Sequence, residues 1–182
     1  MTKKKNALAA SSLNTRRLVT CGILCALIVV FMWIGAITDV LDLTMIMLAS
    51  LCIAFAVIEI DVRWAWLVWG VSALLSLIML PQKAAALFYL MFGMYPIAKS
   101  GFEKLHPVLA WTLKLSLFNT VQLFFILLAQ KILGLSGEGY EFAAAALLFN
   151  NVVFLVYDLA LTVFISYYMI RLRRRLHLPK LR

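Results

Sequence analysis

Charge is scarce in this chain. Only 14% of its 182 residues are Asp, Glu, Lys or Arg, where a soluble domain carries about a quarter. Apolar residues make up 65% and the mean hydropathy is +0.99, which excludes a soluble globule and points to an integral membrane protein. Acidic residues are the rarer charges, eight against 17 basic ones. That imbalance does not describe a nucleic-acid groove, because the basic residues sit at the ends of apolar runs, where they orient spans and meet anionic lipid. Membrane lipid is the expected partner, and nucleic acid is not. Cysteine is limited to Cys21, Cys25 and Cys52, all inside apolar runs, which leaves neither a disulfide framework nor a zinc set. His106 and His177 have no second ligand near them in the chain. A Walker loop, a nucleophile elbow, HExxH and a paired-carboxylate pattern are all missing. No catalytic residue, metal or cofactor is therefore expected, and any ATP hydrolysis would have to come from a partner. No repeat period or low-complexity linker divides the chain.

What is present is a series of apolar runs. The first, 18–37, reads LVTCGILCALIVVFMWIGAI and holds no charge; as a helix it spans about 30 Å, the thickness of a bilayer's hydrocarbon core. It exceeds a signal-peptide core and further spans follow it, so it is read as retained. Five more runs cover 43–60, 64–80, 84–98, 108–133 and 142–170. Trp64, Trp66 and Trp69 open the third as an interfacial anchor. The fourth is short, with Gly93 and Pro96 near its end, and is expected to kink or to thin the membrane locally. Residues 99–107 read as a polar connection, 134–141 as a Gly-rich loop, and Glu59, Asp61 and Arg63 as a solvated turn.

Six spans place both termini on one side. All but three of the 17 basic residues then fall on that side, the exceptions being Lys83, Lys131 and the intraspan Lys114. The positive-inside bias makes that side cytoplasmic. The expected architecture is an all-α, multi-pass protein of the cell (plasma) membrane, with six transmembrane helices in one bundle. Basic cytoplasmic segments at 1–17 and 171–182 flank the membrane domain 18–170.

Polar residues inside the spans are the candidate site. Asp158 lies deep in the last run, roughly 18 Å from its cytoplasmic end by helical rise. An acid there is costly unless paired, protonated or wetted. Asn151 and Thr162 share its helix face, so this stripe faces either a ligand pocket or a neighbouring helix; both readings stay open. Asn119, Gln122 and Gln130 share a face of the fifth run, with Asn119 near the depth of Asp158. Lys114 has two fates, snorkelling to the surface or pairing with Asp158. On the first run, Cys21 and Cys25, with Gly22 and Ala26, form a small-residue face that lets another helix approach closely.

The opening TRRLVTCGILCALIVV, with Gly22 and Ala26 as a small-xxx-small motif, resembles the start of substrate-binding S components of energy-coupling factor transporters. Size, six spans and short outer loops extend the likeness loosely over the whole chain. The resemblance implies a subunit that binds a vitamin-like micronutrient near its outer half and docks on a transmembrane coupling subunit driven by two cytoplasmic ATPases. By that likeness, Cys21, Gly22, Cys25 and Ala26 bind the partner. Asn119, Gln122, Gln130, Asn150, Asn151 and Asp158 line the small-molecule site. The alternative is a non-transporting scaffold or assembly protein of the cell envelope, resembling the MreD family, which needs packing faces but no pocket.

Overall fold

In the computed structural model, residues 2–38, 41–133 and 140–172 are described, with side chains given for 13–38, 41–83, 85–124, 127 and 147–171. The protein is 93% helical, and no strand occurs among the described residues. Six α-helices follow one another: α1 Thr2–Thr38, α2 Asp42–Glu59, α3 Val62–Met79, α4 Lys83–Phe102, α5 Pro107–Leu133 and α6 Tyr140–Tyr167, with a π-helical turn at Tyr168–Leu172. Among the described residues, four segments are long and apolar enough to cross a membrane: Leu13–Thr38, Asp42–Glu59, Val62–Met79 and Leu147–Arg171. The chain divides into two compact units, Met1–Ala98 and Lys99–Arg175.

In the first unit α1 packs on α2 and α3, and α2 on α3. Ile28 and Met32 of α1 and Ile46, Ala49, Ile53 and Ala56 of α2 are buried, on the i, i+4 and i, i+3 rows that face a neighbouring helix. A close approach requires Gly35, where an added Cβ would stand 3.0 Å from Asp42 Oδ1 and 3.2 Å from Met45 Cβ. Small residues at such a crossing are what lets backbones meet in lipid. Asp61 starts α3 by accepting a 2.8 Å bond from the Val62 N–H, a local satisfaction of a helix-end donor. Polar atoms join α3 to α4: Trp69 Nε1 donates to Leu90 O at 3.2 Å, and the Ser72 and Tyr89 hydroxyls share a 2.7 Å bond.

Two readings of the sequence change here. Glu59, expected in a solvated turn, is only 3% exposed, because α2 runs through it and carries it among the helix's buried residues. The fourth helix does not stop at residue 98. It runs 20 residues, Lys83–Phe102, with Pro96 inside it. Pro96 removes one backbone donor, but the helix continues, and Lys99 thereby belongs to a helix rather than to a polar connection.

In the second unit, α5 and α6 pack through Phe118 and Phe154, whose rings stack with centroids 4.2 Å apart and planes 18° off parallel. Beside this stack Asn119 and Asn151 exchange two amide bonds, of 3.1 and 3.0 Å.

Candidate functional site

Asp158 is where the second unit, among the described residues, gathers its buried charge. Its side chain lies on α6, 3% exposed. Lys99, from the last turn of α4, donates to Asp158 Oδ1. It also reaches the Asp158 backbone carbonyl at 3.1 Å and the Thr162 hydroxyl at 2.6 Å. That hydroxyl in turn donates to the Asp158 carbonyl at 2.7 Å, so Lys99 is held by a closed polar knot one helical turn long. Lys114, from α5, approaches the same carboxylate less closely, at 3.3 Å from Oδ2 and 3.4 Å from Oδ1. Its ammonium also stands 5.2 Å over the Trp111 ring, within cation–π range.

Of the two fates open to Lys114, the structure selects pairing. Lys99 was not among the residues singled out from sequence, because a lysine at the end of a short apolar run looks like a solvated flank. The available signal was spacing: Lys99 lies three residues after Pro96, in a helix that continues past that proline. Glu103, one turn on, lies 3.5 Å from Lys99 but is 47% exposed, so its charge is screened. Lys99, Lys114 and Asp158 are each more than nine-tenths buried. The cluster therefore holds two ammoniums against one buried carboxylate.

Gln122 lies two turns beyond Lys114 on α5. It is 4% exposed, and neither its amide oxygen nor its amide nitrogen has a hydrogen-bond partner. A buried amide left this way costs about 1–3 kcal/mol. Its neighbours on the same row, Ala110, Lys114 and Phe118, are also buried, so this is the face α5 turns inward. No protein-family model, curated protein or solved structure matches this chain. The functional reading therefore rests on its own residues.

The remaining candidates fall into distinct environments. Asn119 and Asn151 satisfy one another, and each also bonds a carbonyl one turn back on its own helix, Leu115 O and Leu147 O, at 2.9 Å. Their amides are thus used in joining α5 to α6. Asn150 is half-buried beside them on α6. Gln130 lies on α5, and its side chain is outside the described residues. Of the connection 134–141, residues 134–139 are outside the described residues.

The small-residue face of α1 splits in two. Cys21 is buried, and Cys25 is half-buried with its thiol directed at Val68 O at 3.7 Å, so this row packs within its own unit. Gly22 and Ala26 point the other way. Both are exposed, and a Cβ added at Gly22 would meet nothing within 4 Å.

Proposed function

We propose that this chain is a non-catalytic, solute-binding membrane subunit of an ATP-driven uptake transporter, similar to an energy-coupling factor S component. In this reading it spans the plasma membrane six times with both termini in the cytoplasm. The observation that carries the proposal is the buried Lys99–Asp158–Lys114 cluster. A bundle that only had to pack would be as stable or more so with apolar residues there, and ionisable groups kept inside membrane helices mark ligand sites and pathways. The open Gly22 and Ala26 row supports the second half of the proposal, because it offers a close-packing surface that the monomer does not use.

The test is co-purification from cells of the tagged chain with a membrane coupling subunit and two ATPases. The double change Gly22→Leu with Ala26→Trp should leave a monodisperse monomer, since Gly22 meets nothing within 4 Å, while the complex is lost. Unchanged complex formation would remove that surface from the docking role. Recovery of envelope-synthesis proteins in place of ATPases would favour the scaffold reading instead. The orientation is tested separately: a single cysteine at Lys83, with the native thiols replaced, should react with an impermeant reagent in intact cells.

A further inference from the structure

Two deficits on the inward row of α5 are left open by the protein itself. The first is charge. Asp158 is committed to Lys99, and Lys114 reaches it only at 3.3 and 3.4 Å, longer than the 2.7–2.9 Å typical of a charge-assisted bond. Lys114 is 6% exposed, so its ammonium lies out of water and shares its one carboxylate with Lys99, whose other acidic neighbour, Glu103 at 3.5 Å, is half-exposed. The second is hydrogen bonding, at Gln122, whose buried amide has no partner at either atom. The two residues are two turns apart, about 12 Å by helical rise. Between them on the row lies Phe118, 5% exposed and stacked on Phe154. The row thus reads cation, aromatic wall, amide.

We propose that Lys114 and Gln122 bind a small organic anion: a carboxylate on the Lys114 ammonium, an apolar middle along Phe118, and a hydrogen-bonding end at the Gln122 amide. One loosely paired ammonium matches one carboxylate rather than a doubly charged phosphate. At 6% exposure, Lys114 is enclosed by protein rather than open to a lipid headgroup. This assignment rests on the solute-binding reading and names the substrate class for it.

The full chain is reconstituted in phosphatidylcholine nanodiscs. It is titrated with straight-chain carboxylates of increasing length, each with and without a terminal hydroxyl, and with matched alcohols and amines. Tryptophan fluorescence is the readout, because Trp111 stands 5.2 Å from the Lys114 ammonium; Trp111→Phe identifies its share, and the thermal midpoint gives a second measure. Carboxylates should bind saturably, and alcohols and amines should not. The terminal hydroxyl should strengthen binding at the chain length that spans the row. Lys114→Met should weaken binding at least tenfold, and Lys114→Arg, which keeps the charge if the Met variant fails to fold, should retain it. Gln122→Leu should erase the hydroxyl's advantage while plain carboxylates still bind. No carboxylate binding to the native chain, equal binding of alcohols, or binding that survives Lys114→Met would overturn the assignment. So would competition by phosphatidylglycerol added to the disc, which would identify the anion as lipid. Loss of carboxylate binding with ATPases still co-purifying removes this assignment alone; carboxylate binding without them removes the transporter reading alone.

Discussion

Replacing each member of the buried cluster in turn should give unequal costs, and the inequality follows from the distances. Asp158→Asn takes the carboxylate from two ammoniums, each over nine-tenths buried, and leaves Lys99 only the half-exposed Glu103, 3.5 Å away. Breaking a buried pair in this way costs about 3–5 kcal/mol. Lys99→Met should cost a similar amount, because it removes the ammonium that bonds the carboxylate, the Asp158 carbonyl and the Thr162 hydroxyl together. Lys114→Met should cost at most about 1 kcal/mol, since it gives up contacts of 3.3 and 3.4 Å that are long for charged partners. It also removes a cation whose burial is itself unfavourable. Asp158 then keeps Lys99, and the buried charges that remain form a neutral pair.

At about 2–4 °C per kcal/mol for a chain of this size, Asp158→Asn and Lys99→Met should each lower the thermal midpoint by roughly 6–20 °C, and Lys114→Met by no more than about 4 °C. Helix loss followed by circular dichroism in one detergent, without added solute, reads all three. The triple change Lys99→Met, Lys114→Met and Asp158→Leu should return close to the native midpoint, because a well-packed apolar set matches a buried ionic one. If Lys114→Met costs as much as Lys99→Met, the cluster is a symmetric triad and the reasoning from unequal pairing is wrong.

Gln122→Leu should raise the stability of the solute-free protein by about 1–3 kcal/mol by removing an unsatisfied buried amide; an unchanged or lower thermal midpoint would mean the amide is satisfied. Asn119→Leu should cost up to about 1.7 kcal/mol by leaving Asn151 without its cross-helix partner, and adding Asn151→Leu should recover most of it in a double-mutant cycle. Gly35→Leu should destabilise the first unit by about 1–3 kcal/mol, because its Cβ would press on Asp42 Oδ1 and Met45 Cβ at 3.0 and 3.2 Å; a native-like midpoint would show that α1 and α2 can separate there at no cost.

Hydrophobic run length is a local property, and it determined from sequence that the chain is helical and built for a membrane. Each of the six apolar runs is helical almost throughout, since a backbone in lipid must satisfy its own hydrogen bonds. The polar stripe on α6 was legible for the same reason: Asn151, Asp158 and Thr162 share a face by helical period alone. Partner choice was not legible. Helical period puts Asn119 and Asn151 on faces, but only packing decides that they meet each other. Lys99 lies 59 residues from Asp158, and a lysine at a run's end has the same local signature whether it points to water or to a buried acid. Glu59 likewise reads as solvent-facing in sequence and is buried in the fold. The first-helix face divided for a related reason. Cys21 and Gly22 are neighbours in sequence, but about 100° of helical turn separates them, so one is buried and the other is left open. Tertiary structure alone decided which charges are held closely, which loosely, and that Gln122 has no partner, because each depends on what another helix brings to the same place.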